Sequence, residues 1–262
     1  MFKKSPPPKS VLITGASSGI GRALAMHYAK DGVFLAISGR NEQRLAETAQ
    51  ACRAKGAVVE TALVCVTDQT GMKEWIERTD HAHAIDLVIA NAGISGGTGG
   101  VMEGEPIDQA RHIFDVNLMG VINTIAPALP RFTARGKGQI AIISSLAGYR
   151  GFPGAPAYSA SKGAVRFYGE ALRGAVRKTG VRINVIMPGF VESRITAAND
   201  FAMPFFMGAD KAAKIIAKGL AANKGRIAFP LPTQFSAWFL SVLPDCIAQK
   251  ILGELPAKGQ SN

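Results

Sequence analysis

Short, almost wholly apolar runs recur along this chain, each followed by a glycine-rich or polar stretch and then by a longer segment with helical spacing. The runs are Ser10–Thr14, Val33–Ser38, Ala57–Val64, Ile85–Ala90, Gln139–Ile143, Val181–Ile186 and Arg226–Phe229. Four to eight apolar residues without polar alternation mark a strand buried on both faces, as in a parallel sheet. The intervening segments predict helices over Arg22–Lys30, from Asn41 to Lys55, after Asp68 through Arg78, from Pro106 to Arg135, from Tyr158 to Lys178 and over Ala209–Ala222. Such alternation predicts an α/β chain with a doubly wound parallel sheet, helices on both faces, and function at the carboxyl ends of the strands.

The organisation around this core is simple. No linker, repeat or low-complexity stretch interrupts the interior, so residues 10–232 read as one domain. The charged, proline-rich residues 1–9 read as a loose tail, and 233–262 as an apolar C-terminal extension. The segment 190–222 opens with an irregular oily stretch, 190–208, carrying Phe201, Met203, Phe205, Phe206 and Met207. It reads as a substrate lid, or equally as a packing or dimer surface.

Composition changes the picture in two places. Lys and Arg number 30 against 19 Asp and Glu, giving +11 overall, but they are scattered and not interleaved with aromatics, so nucleic-acid binding is not inferred. A polyanionic cofactor would gain from the positive field. Three cysteines, far apart, make neither a disulfide framework nor a metal site, which fits a reduced, cytoplasmic compartment.

Candidate chemistry lies where strands end. The first strand runs into Gly15-Ala16-Ser17-Ser18-Gly19-Ile20-Gly21 and a helix. Free N–H groups and the helix dipole there would face a phosphate, with glycines admitting close approach. The second strand ends at Gly39-Arg40, where an NAD site would want a carboxylate. An arginine suits a 2′-phosphate, so NADP(H) is favoured over NAD(H). The fourth strand ends in Asn91-Ala92-Gly93, and a glycine cluster over 96–100 reads as a mobile loop. Asn117, amid Val116, Leu118 and Met119, either satisfies backbone groups or holds a water. The fifth strand leads through Ser145 to Tyr158 and Lys162, one helical turn apart on one face. An ammonium there favours the phenolate and draws the tyrosine toward the working pH range, while Ser145 could hold a substrate oxygen at the same point. A Tyr-x-x-x-Lys pair alone also reads as an exposed pair on an amphipathic helix.

Together, Thr14-Gly15-Ala-Ser-Ser-Gly19-Ile-Gly21, Asn91-Ala92-Gly93, Asn117, Ser145 thirteen residues before Tyr158, Lys162 and Pro188-Gly189 resemble the single-domain short-chain dehydrogenases/reductases over Ser10–Pro230. The resemblance implies a Rossmann-like fold and a nicotinamide-dependent enzyme interconverting a carbonyl and an alcohol, with Arg40 favouring NADP(H). It implies Tyr158 as general acid/base, Lys162 lowering its pKa and binding the nicotinamide ribose, Ser145 orienting the carbonyl, and Asn117 holding a water. It assigns the pyrophosphate turn to Gly15, Ser17, Ser18, Gly19, Ile20 and Gly21. Asn91 would brace the central strands, Ala92 and Gly93 the adenosine ribose, Pro188, Gly189 and Val191 the nicotinamide, and Ser193 the pyrophosphate. Two features depart from the family's pattern. Cys65 stands where an aspartate often meets the adenine amine, leaving the backbone of Val66, and Ser17 and Ser18 replace a basic residue common in NADP-dependent relatives. The family also implies a homodimer or homotetramer acting on a small carbonyl or alcohol, and the oily 190–208 stretch, read as a lid, suggests an apolar or mixed one. The alternatives are a nucleotide-binding sensor of the same fold without turnover, and an active reductase held peripherally on a membrane by 235–243, a stretch that equally suits a core-covering helix or subunit contact.

Overall fold

The strand pattern is realised in full. The computed structural model describes residues 6–99 and 104–254; residues 1–5 of the tail, Gly100 of the glycine cluster and 255–262 of the extension lie outside them. The strands are β1 (Ser10–Ile13), β2 (Phe34–Ser38), β3 (Val58–Ala62), β4 (Leu87–Ala90), β5 (Gly138–Ile143), β6 (Val181–Pro188) and β7 (Arg226–Phe229). The helices are α1 (Gly19–Tyr28), α2 (Glu42–Arg53), α3 (Gln69–His83), α4 (Ile107–Phe114), α5 (Gly120–Ile125), α6 (Ala128–Ala134), α7 (Pro156–Ala175), α8 (Arg194–Ala197), α9 (Ala209–Ala221), α10 (Leu231–Val242) and α11 (Asp245–Gly253).

All seven strands form one parallel sheet in the order β3-β2-β1-β4-β5-β6-β7. The short apolar runs are explained by double-sided burial. In β1, Val11 and Ile13 enter the layer containing α1 and α9, while Leu12 enters the layer with Ile76, Val121 and Val165 from the helices opposite. Each such side chain contributes about 1.5–3 kcal/mol on leaving water. Chain order reverses between β1 and β4, which opens a crevice at their carboxyl ends.

Several boundaries differ from those expected. α1 begins at Gly19, not Arg22, because the glycine turn is itself the first helical turn. β3 is limited to Val58–Ala62, where its register with β2 runs. α7 begins two residues before Tyr158, with Pro156 in its first turn, where a missing N–H costs nothing, and it ends at Ala175 rather than Lys178. Glu105 accepts from the Ala157 N–H at 2.8 Å, satisfying one free donor of that turn.

The helical stretch from Pro106 to Arg135 is broken. Asp115–Met119 forms one π-helical turn between α4 and α5. The run Ile107–Ala134 is apolar and long enough to cross a bilayer, but half of its most apolar window is buried within the fold, with Val116, Val121, Ile125 and Phe132 in the core. The 190–208 stretch is less irregular than its sequence suggests. Val191 pairs with Met207 in an isolated parallel bridge, and α8 lies between them, capped by Ser193. The apolar extension forms α10 and α11, and Ala237 of α10 packs with Leu146, Val185 and Met187.

Candidate active site

The β1–α1 turn is shaped by close approach. Gly15 and Gly19 hold φ of +67° and +52°, a region that penalises a side chain. A Cβ on Gly15 would sit 2.8 Å from Ala92 Cα, and one on Gly19 2.9 Å from Ser193 Cβ. A Cβ on Gly21 would overlap both the Asn91 amide nitrogen and the Gly15 carbonyl. Asn91 clamps this turn: its side-chain amide donates to Thr14 O at 2.9 Å and Gly15 O at 3.1 Å, while Thr14 Oγ1 accepts from the N–H groups of Asn91 and Ala92. Ser18 precedes α1 in extended conformation, and its hydroxyl makes no capping bond. The first-turn N–H groups of Gly19, Ile20 and Gly21 therefore lack intrahelical partners and form the electropositive end of the helix. An anionic pyrophosphate fits this cradle.

β5 and α7 build the second half. Ser144 Oγ donates to Lys162 O at 2.7 Å, and a Cβ on Gly148 would meet the same carbonyl at 2.7 Å, so this loop lies tight against α7. Ser144 and Ser145 both line the crevice, and with the Ser144 hydroxyl so engaged it is that of Ser145 that hydrogen-bonds Tyr158. Lys162 Nζ donates to Ile143 O at 3.0 Å and lies 5.9 Å from the Tyr158 ring centroid. Gly93 leaves room for it, since a Cβ there would stand 3.3 Å from Nζ.

Burial dominates the electrostatics. Lys162 is 4% exposed, and loss of solvent pushes its pKa from 10.5 down to about 8. Burial also pushes the Tyr158 phenol up, opposed in part by the hydrogen bond with Ser145. This corrects the expectation that Lys162 draws the tyrosine down. Here desolvation sets the direction, and the phenol is harder to ionise than an exposed tyrosine.

These elements enclose a crevice of about 980 Å³. Of the residues expected from sequence, it is lined by Gly15, Ser17, Ser18, Gly19, Ile20, Arg40, Val66, Asn91, Ala92, Gly93, Ser145, Tyr158, Lys162, Pro188, Gly189, Val191 and Ser193. Gly21 and Asn117 stand behind the wall instead. Gly21 is packed under the turn, and Asn117 is fully buried in the π-helical turn. The Asn117 amide oxygen accepts from Ile94 N at 2.8 Å, and its nitrogen donates to Ile94 O and Ser161 Oγ, each at 3.0 Å. Its side chain thus satisfies backbone groups, one of the two readings its sequence context offers. Ser193 Oγ accepts from Thr196 N, and the Val66 carbonyl accepts from the Asn123 amide at 2.9 Å, so both are partly committed to structure.

Sequence reasoning missed Arg44 and His112, which also line the crevice. Arg44 sits in the first turn of α2, where Asn41 caps its N–H at 2.9 Å, and its Nε is buried without a hydrogen-bond partner. Its position four residues after Arg40 in a capped helix was the available signal. Two guanidinium groups thus line the crevice at the end of β2, where each can meet an anion.

Comparison with known proteins agrees with this construction. A family model described as short chain dehydrogenase matches residues 9–202. An uncharacterised oxidoreductase of Myxococcus xanthus is 38% identical over 248 residues, spanning 93% of this chain and 97% of that one. A short-chain dehydrogenase/reductase from Burkholderia phymatum, solved in complex with NAD, superposes with a TM-score of 0.82 at 25% identity, covering all of both chains. A short-chain dehydrogenase from Sphingobium yanoikuyae, in complex with NADPH, shares the fold with a TM-score of 0.78 at 24% identity, covering 97% of this chain and 98% of its own. The matched span takes in the glycine turn, the Asn91 clamp and the Ser145–Tyr158–Lys162 cluster, and by it the chain belongs to the short-chain dehydrogenase family of oxidoreductases.

Proposed function

We propose that this oxidoreductase uses NADP(H) to interconvert a ketone or aldehyde with its alcohol, with Tyr158 as the proton donor and acceptor. The observation that carries the reading is one crevice that joins the pyrophosphate-type turn to Ser145, Tyr158 and Lys162. The bound cofactor supplies or takes the hydride; the protein supplies orientation and a proton.

Tyr158, a phenol at the crevice, carries a proton that a substrate oxygen can take. Ser145, already hydrogen-bonded to it, is placed to steady that same oxygen. When the proton leaves, the ammonium of Lys162 faces a phenolate. That ammonium lies 5.9 Å from the ring centroid, close enough to favour the phenolate over the neutral phenol. Lys162 is thus given a role in the charged state of the pair, not in the resting phenol. Asn117 supports this arrangement by tying the Ile94 backbone to Ser161, next to Lys162 on α7.

Arg40 and Arg44 support the choice of NADP(H). Gly39 supports it as well, since a Cβ there would press Ser17 at 3.2 Å. The carboxylate that an NAD site would place at the end of β2 meets this crowding. A panel of aldehydes, ketones and alcohols, assayed with NADPH and NADH by the absorbance of the reduced nicotinamide, tests the proposal. Turnover with NADPH ahead of NADH is expected. Cofactor binding with no turnover across the panel would refute the enzymatic reading.

A further inference from the structure

α10 carries an apolar stripe that the described residues leave uncovered. Leu231, Phe235, Trp238, Phe239 and Val242 are 75%, 64%, 45%, 47% and 57% exposed. Their spacing of 4, 7, 8 and 11 residues from Leu231 confines them to an arc of about 100° on the helix. Phe235 stacks with Phe239 and packs against Trp238, with centroids 6.2 and 5.8 Å apart. The opposite side of the helix is the one that packs inward, through Ala237. α11 extends the surface with Ile247 and Ile251, 48% and 44% exposed. No charged residue occurs in 231–243. A continuous exposed surface of this kind marks an interaction site and not ordinary surface variation.

Its place in the fold gives it a use. β6 and β7 are adjacent and parallel, so the segments that follow them leave at the same rim as the crevice. Gly189, in the crevice wall, donates to Phe229 O at 2.8 Å, and a Cβ on it would meet Pro230, at the start of α10, at 3.2 Å. The segment after β6 exposes Phe205 and Phe206, 59% and 50%.

We propose that α10 and α11 dock the protein on an anionic lipid bilayer, with the crevice mouth facing the membrane surface. Trp and Phe are the side chains that partition into the bilayer interface, and α10, at 12 residues, can lie in that interface but not span it. The chain's net charge of +11, carried by the molecule as a whole and not by these helices, attracts an anionic surface. That the bilayer also supplies apolar carbonyl substrates rests on the oxidoreductase reading; the docking does not.

The test uses the full chain and vesicles of phosphatidylcholine with and without phosphatidylglycerol. Flotation with the anionic vesicles is expected. Brominated lipids should quench Trp238 emission, because the other tryptophan, Trp75, is 3% exposed in the core; Trp238→Phe should remove the quenched component while flotation persists. The triple variant Phe235→Ser/Trp238→Ser/Phe239→Ser should bind at least about tenfold more weakly. Absence of flotation, or flotation without Trp238 quenching, would overturn the proposal. So would triple-variant binding equal to wild type, or a dimer in sedimentation that the triple variant dissolves. None of these readouts depends on turnover, so an inactive protein that docks would refute only the enzymatic reading.

Discussion

Lys162 is held in the fold against its own solvation, and Lys162→Met should therefore stabilise the cofactor-free protein while ending its chemistry. Burial moves the lysine from 10.5 to about 8, and at about 1.4 kcal/mol per pH unit the charged ammonium costs the folded state roughly 3 kcal/mol at neutral pH. Methionine has similar length and no charge, but it leaves the Ile143 carbonyl without its donor, a loss of about 1 kcal/mol. A net gain of about 2 kcal/mol follows. The pH dependence has a definite sign. Between about 8 and 10.5 the unfolded lysine keeps a proton that the folded one has lost, so wild-type stability rises with pH through that window. The variant lacks this contribution. Urea unfolding of both proteins at neutral pH and near pH 10 should show the variant ahead by about 2 kcal/mol at first, and the wild type level or ahead in base. A variant less stable at neutral pH, or a difference constant with pH, would refute the reasoning.

Other perturbations read separate parts of the site. Gly21→Ala forces the Asn91 amide away from Thr14 and Gly15, and loss of two hydrogen bonds with added strain should lower stability by about 2–4 kcal/mol in urea unfolding and weaken cofactor binding. Arg40→Ala and Arg44→Ala should each weaken NADPH by about 1.5 kcal/mol with little effect on NADH, measured as dissociation constants by fluorescence titration; an unchanged cofactor ratio in the double variant would place selectivity elsewhere. Ser144→Ala should destabilise the fold by about 1 kcal/mol through the lost bond to Lys162 O, whereas Ser145→Ala should lower turnover with stability nearly unchanged.

The sheet was legible in the sequence because double-sided burial writes continuous apolar runs, as in Val11-Leu12-Ile13 and Leu87-Val88-Ile89-Ala90, all at most 1% exposed. The wall of the crevice was legible for a related reason. Glycines and small polar residues cluster where strands end and the backbone must approach a ligand. What the sequence hid was local and electrostatic. The apolar neighbours of Asn117 pointed to an inward, bonded amide, but a π-helical turn leaves no periodic mark in Asp115–Met119, so the break in the helix there had no sequence signal. Arg44 looks like any surface cation at the start of a helix until the turn of α2 aims it at the crevice. The spacing of Tyr158 and Lys162 showed that they share a face, but the balance between burial and charge depends on packing from β4 and β5 that spacing does not describe. The stripe on α10 was visible as apolar residues, and only the docking of Ala237 revealed which side faces out.

The central claim is that Tyr158 exchanges the proton while the remainder of the crevice binds and orients. Turnover of a reactive carbonyl and the NADPH dissociation constant should be measured together for wild type and Tyr158→Phe. The account predicts turnover lower by at least about a hundredfold with cofactor affinity unchanged within about twofold. Equal turnover in the phenylalanine variant would contradict it.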